Sequence, residues 1–288
     1  MRGRQHLAVV FATVLSMRQV ASLCSSSYVF ISSFSSISTP VFCDLINTLS
    51  NVKTAQRDLV YVPTATYAFN KDSPKSIGEQ RRRSRYDAKQ KMKLLSEAFD
   101  APNCIMLELD DPLLDDSKLE KSLQNCGILY VDGGNTFWLQ KHIIRSSFWS
   151  VAKKHLETNQ CVYIGSSAGA IVAGRSIIPA YWKGWDDETV ALTDGFKWTE
   201  VTHGGGQLVD ESFFMHYEEV QHKSLVASRE HELIDHKVNL IPNNYAKIYT
   251  NFRPPLASPL GPVEGLEGLN YNGLHYVYIN YAYNNMPR

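Results

Sequence analysis

Gly165-Ser166-Ser167-Ala168-Gly169 sets a serine at the centre of a G-x-S-x-G pentapeptide, directly after apolar Cys161-Val162-Tyr163-Ile164 and before a small-residue, helix-compatible run. A hydroxyl presented on a sharp strand-to-helix turn is the geometry of a nucleophile elbow, and glycines beside it relieve crowding that a Cβ would cause. Ser167 is therefore the expected nucleophile of a serine hydrolase. The same residues also suit a Gly/Ser helix start packed closely on a sheet.

A serine hydroxyl needs a general base, usually an imidazole held by a carboxylate or amide. His216, in Phe213-Phe214-Met215-His216-Tyr217, follows an apolar run, so a strand end is expected to bring it to the sheet edge that carries the elbow. A partly buried histidine bonded to a backbone carbonyl is the competing reading. His222, His231 and His236 lie in a charged, helix-like stretch and are expected to be solvated. In Tyr130-Val131-Asp132-Gly133-Gly134-Asn135-Thr136-Phe137 a strand ends in a glycine pair before a helical run. Backbone N–H groups at such a junction can face a developing oxyanion, so Gly134, with Ala168 just after the nucleophile, is a candidate oxyanion hole. A close turn or a phosphate cradle would look similar, although neither a G-x-G-x-x-G fingerprint nor a Walker lysine is present.

These groups need a scaffold. Tyr28–Ser32, Leu59–Pro63, Ile105–Leu109, Ile128–Asp132 and Cys161–Gly165 read as strands buried on both faces. Helical patterns fall between them at Ser76–Phe99, Ser117–Gln124 and Thr136–Thr158, the last broken near Ser146-Ser147. The alternation predicts an α/β fold, with a mostly parallel sheet covered by helices on both sides. Arg81-Arg82-Arg83 and Arg85 read as a solvated helix face. Pro254 to Pro262 reads as a loop and His275 to Tyr281 as a late strand.

With 288 residues, 44% of them hydrophobic, the chain can bury one sizeable core, expected as a single domain over residues 27–288. Lys+Arg and Asp+Glu both number 29, so no overall field favours nucleic acid or an anionic membrane, and a small neutral or zwitterionic substrate fits. The five cysteines include no C-x-x-C pair, which points to neither a disulfide framework nor a zinc site. Residues 1–26 are set apart by Arg2, Arg4 and Arg18, apolar Leu7–Leu15 and the lack of any acidic residue before Asp44. They read as a leader or a disordered extension, giving a cytoplasmic, organellar or secretory location.

Taken in order, Tyr130–Leu139 (YVDGGNTFWL), Tyr163–Ala170 (YIGSSAGA) and Phe214–Tyr217 (FMHY) resemble the peptidase E group of aspartyl dipeptidases, relatives of cyanophycinase, over about Tyr28 to Thr250. The resemblance implies a three-layer α/β/α fold like that of class I glutamine amidotransferases, and hydrolysis of dipeptides with an N-terminal aspartate without metal or cofactor. It places the nucleophile on Ser167, the base on His216, the oxyanion donors on Gly134 and Ala168, and substrate contacts on Asn135 and Arg229. Arg229 would pair with the aspartyl carboxylate. The family's acidic residue after a Leu-Pro pair falls here on Asn243, so Asp186 is the preferred group to orient the histidine and Asn243 the alternative. The rival readings are a cyanophycinase-like hydrolase of β-aspartyl-arginine substrates and a non-catalytic amidotransferase-like binding domain. The expected partner is a small peptide, on a monomer or homodimer.

Overall fold

The computed structural model describes residues 27–32, 40–50, 57–158, 161–233, 235–243, 245–250, 270–271 and 274–280. The expected leader, Cys24 and the Pro254 to Pro262 loop lie outside them. Strands β1 (Ser27–Ile31), β2 (Asp58–Val62), β3 (Cys104–Met106), β4 (Cys126–Val131) and β5 (Val162–Ser166) pair in parallel in the order β3-β2-β4-β5-β1. Beyond β1 the sheet continues antiparallel through β8 (Tyr245–Thr250), β10 (Leu274–Asn280) and β9 (Asn270–Tyr271). The result is the α/β architecture with a mostly parallel sheet that the alternation predicted.

Side chains alternate across the pleat, and both faces of the parallel strands are apolar. On one face Val29, Ile31, Tyr61 and Tyr130 pack against α1 (Pro40–Ser50) and α2 (Ile77–Ala98), through Phe42, Ile46 and Leu95 among others. On the other, Phe30, Val62, Val131 and Tyr163 meet α3 (Asp116–Leu123), α4 (Thr136–Arg145), α5 (Phe148–Thr158) and α6 (Ala168–Ala173). This is the three-layer arrangement. The break inside residues 136–158 falls at Ser147, whose φ of 53° no helix accommodates. The third predicted strand is shorter than expected, because Leu109 N–H is taken by the Thr64 hydroxyl instead of a neighbouring strand.

One expectation needs correction. The strand carrying His216, β6 (Glu211–Tyr217), does not join the main sheet; it pairs in parallel with β7 (Lys237–Pro242) in a separate two-stranded sheet. That small sheet carries its own apolar cluster, in which Phe214 packs with Trp182 of α7 (Ile178–Lys183) and Val226 of α9 (Glu219–Arg229), α8 being Glu200–His203. The chain passes from β7 straight into β8 of the main sheet. A buried polar knot adds a second tie: Lys247 on β8 reaches Glu211 of β6 at 3.1 Å and Asn239 Oδ1 of β7 at 2.6 Å, and Tyr249 also donates to Glu211. A buried ammonium is tolerable only when paired in this way.

Candidate active site

Ser167 and His216 meet across the two sheets. Ser167 Oγ lies 2.8 Å from His216 Nε2, and His216 Nδ1 lies 2.8 Å from Asn243 Oδ1 on the exposed turn between β7 and β8. An amide oxygen only accepts, so the imidazole carries its proton on Nδ1 and Nε2 is left to accept from the serine hydroxyl.

Both reacting residues have unusual backbones. Ser167, between β5 and α6, has φ 47° and ψ −107°, outside the populated regions for a side chain with a Cβ. Such a conformation costs roughly 1–3 kcal/mol and persists only where the surroundings enforce it. They do so here: Ser167 N–H donates to Ile31 O at 2.9 Å, and α6 packs so tightly that a Cβ on Gly169 would sit 2.1 Å from Val131 O. His216 has φ 54° and falls where the β6–β7 register slips between Met215 and Tyr217. A bulge of this kind turns a side chain out of its ladder, here toward Ser167.

The glycine turn after β4 closes against the elbow. A Cβ on Gly133 would lie 3.1 Å from Ser167 Cβ, and Gly134, at φ 134°, passes so near Ala65 that a Cβ would lie 2.4 Å from its carbonyl oxygen. Only glycine fits there. Asp132 braces this turn from within: it accepts from Gly133 N–H at 2.7 Å, Tyr61 O–H at 2.6 Å and Lys91 Nζ at 2.5 Å.

A cavity of about 490 Å³ opens over these groups, lined on one side by Ser32, Asp132, Gly133, Gly134, Ser167 and His216. Its other wall is one face of α2, where Ser84, Asp87, Ala88 and Lys91 recur at helical spacing. A much smaller cavity touches the far side of Ser167 and His216 and is lined by Thr136, Lys183, Trp185 and Asp186 among others. Lys183 Nζ lies 4.2 Å from the Trp185 ring centre and 4.4 Å from that of Phe214, and burial pushes its ammonium down to about 7. The His216 imidazole is held below its ordinary 6.5, chiefly by burial; the Asn243 hydrogen bond opposes this, Lys183 adds to it and the Asp186 carboxylate opposes it.

Several expected residues make other contacts than those expected of them. Asp186 makes no hydrogen bond to His216: its carboxylate, raised by burial, accepts from Thr136 N–H at 2.8 Å at the start of α4, and Asn243 occupies Nδ1 in its place. Asn135 spends its side chain on the same helix start, accepting from Trp138 N–H at 2.8 Å and donating to Asp187 O at 3.0 Å. Arg229 is at the end of α9, 3.4 Å from Glu232 and outside the linings of both cavities. His222 is buried, not solvated: its ring packs against Trp185, Phe214 and Tyr217, and its Nδ1 accepts the Glu218 N–H at the start of α9. Ser32, Asp132, Lys91 and Lys183 are the site groups that the sequence reading missed. The Ser84–Asp87–Lys91 spacing was the visible signal for one wall.

A family model, Peptidase family S51, matches residues 29–246, from β1 into β8 and across every element of the site. The chain belongs to peptidase family S51. That family is one of serine-type peptidases, and the matched residues include Ser167 and His216, which are in hydrogen-bond contact here. An uncharacterized peptidase of Pasteurella multocida (strain Pm70) is 30% identical over 80 residues, which cover 28% of this chain and 38% of that relative's length. Among solved structures, a candidate peptidase E from Listeria monocytogenes EGD-e aligns with a TM-score of 0.52 at 22% identity, covering 78% of this chain and 94% of that one. A peptidase from an acI-B1 Actinobacterium aligns with a TM-score of 0.50 at 14% identity, covering 80% of this chain and 88% of that one. At these identities the structural likeness speaks for the fold. Among the described residues no helix is long and apolar enough to cross a membrane, and no cluster of three metal-ligating side chains is found.

Proposed function

We propose that this S51 chain is a serine dipeptidase that cleaves dipeptides with an N-terminal aspartate through an acyl-enzyme. The observation that carries the reading is the 2.8 Å contact between a serine hydroxyl on a strained turn and an imidazole nitrogen whose partner nitrogen is held by an amide oxygen. Ser167 Oγ attacks the scissile carbonyl carbon while its proton passes to His216 Nε2. Negative charge moves to the carbonyl oxygen, which receives hydrogen bonds from the N–H groups of Gly134 and Ala168; α6, which Ala168 opens, has no side-chain cap. The tetrahedral intermediate collapses as the imidazolium gives its proton to the departing amine. Water, deprotonated by the same nitrogen, then attacks the ester and frees the aspartate and Ser167.

Asn243 keeps the imidazole in the tautomer this sequence needs, as the asparagine of cysteine proteases does. It stabilises the imidazolium less than a carboxylate would. Asp186 acts on the histidine through space, and its hydrogen bond fastens the helix that follows the oxyanion turn.

The serine–histidine contact favours a hydrolase over a non-catalytic binding domain. The β-aspartyl-arginine alternative needs a cavity carboxylate to receive a guanidinium. Asp132 already accepts from three donors of the protein, and Asp87 is paired with Arg83 at 2.9 Å. A zwitterionic aspartyl dipeptide is therefore the better fit. Purified protein is expected to release leucine from Asp-Leu at a rate that Ser167→Ala abolishes, with β-Asp-Arg a poor substrate. Preferred turnover of β-Asp-Arg, or undiminished Asp-Leu cleavage by Ser167→Ala, would reject the reading.

A further inference from the structure

With Arg229 outside the cavity, the aspartyl specificity has no cation assigned to it. We infer that Lys91, helped by the Ser32 hydroxyl, is the group that receives the carboxylate of the substrate's aspartyl side chain; this rests on the dipeptidase reading. Lys91 is the single lysine or arginine among the described residues lining the cavity that holds Ser167 and His216. It stands one turn beyond Asp87 on the α2 wall and keeps partial exposure, its side chain being 30% accessible. An ammonium has three donors, and Lys91 commits one to Asp132. Asp132 shares its charge with Tyr61 O–H and Gly133 N–H, so it positions the ammonium without using it up. The link is short: the carboxylate oxygen that holds Lys91 also holds the N–H of Gly133, which packs on the nucleophile's Cβ.

Ser32 supplies an independent observation. It directly follows Ile31, whose carbonyl accepts the Ser167 N–H, and it lines the same cavity. The residue is 1% exposed, yet its hydroxyl has no hydrogen-bond partner among the described residues. A buried orphan hydroxyl is costly unless something else completes it. A donor-only ammonium and an uncommitted hydroxyl in a cavity of dipeptide size suit a small carboxylate better than they suit a cation or an amide.

The test compares Asp-Leu with its neutral isostere Asn-Leu. Lys91→Met is expected to raise KM for Asp-Leu and to lower the Asp-Leu/Asn-Leu ratio of kcat/KM by about tenfold to a hundredfold, with Lys91→Arg restoring part of it. Fluorophosphonate labelling of Ser167 at the wild-type rate shows that the variant is folded. Ser32→Ala, which leaves the Lys91–Asp132 pair intact, is expected to lower the same ratio a few-fold. Arg229→Met is expected to leave it unchanged. Equal losses on both dipeptides in Lys91→Met, or loss of the preference in Arg229→Met, would overturn the assignment while leaving the dipeptidase reading in place. Wild-type protein that labels at Ser167 but cleaves no Asp-X dipeptide would sink the substrate reading itself, and the subsite with it.

Discussion

Two strand-to-helix turns lie side by side at the carboxyl ends of β4 and β5, and they are built in opposite ways. The turn after β4 uses glycine where φ is positive and then secures its helix twice, through Asn135 on Trp138 N–H and Asp186 on Thr136 N–H. The turn after β5 puts a serine in a conformation suited to no side chain and leaves the next helix without a side-chain cap. One turn is relaxed and capped; the other stores strain and keeps N–H groups uncommitted. Strain at the second is affordable because the first, the Ile31 carbonyl and the close α6 contact hold it in place. The difference separates a turn that serves as a wall from one that presents a nucleophile.

Replacing the strained residue should separate activity from stability most sharply. Ser167→Gly is expected to lower kcat/KM by at least about 10⁴-fold, yet to raise unfolding stability in urea by about 1 kcal/mol, since glycine tolerates the positive φ. At the relaxed turn the sign reverses. Gly134→Ala forces a Cβ toward Ala65 O and is expected to cost about 3 kcal/mol in the same titration, along with a fall in kcat.

The histidine's surroundings give smaller and more specific effects. Because His216 must be neutral to accept the serine proton, a lowered imidazole keeps the enzyme active into more acidic solution. The acid limb of kcat/KM is expected below pH 6.5. Lys183→Met removes a neighbouring cation, so the imidazole should rise and the limb move to higher pH. Asn243→Asp adds an anion at Nδ1 and should move the limb the same way, while raising the plateau kcat through a better stabilised imidazolium. The smallest effect belongs to the capped helix: Asn135→Ala is expected to cost about 1 kcal/mol of stability and to leave the acid limb unmoved.

The sequence revealed what depends on local pattern. Apolar runs between helical periods defined the parallel strands, and the Ser146-Ser147 break was visible because two serines interrupt one helical period. Ser167 and Gly134 were legible because turns impose residue types within a few positions. Pairings set by distant packing were not. His216 was expected on the main sheet, because an apolar run says that a strand is buried and does not say which sheet it joins. Asn243 lost to Asp186 because a carboxylate is chemically the better partner for an imidazole, whereas the β7–β8 turn decides which side chain reaches Nδ1. Arg229 was inherited from the family resemblance, and its helix ends away from the cavity. Lys91 was not singled out, because a charged helix does not say which of its faces lines a cavity, and only the packing of α2 shows it.

The central claim is that Ser167, set on the main sheet, is activated by His216, carried in from the second one. The pH dependence of fluorophosphonate labelling, with the modified residue mapped by mass spectrometry, tests it most directly. The adduct is expected on Ser167 alone, forming at a rate that falls below a single titration lower than pH 6.5, and slowed by about 10²–10⁴-fold in His216→Gln. Labelling at another serine, or at Ser167 with a rate indifferent to His216→Gln, would contradict it.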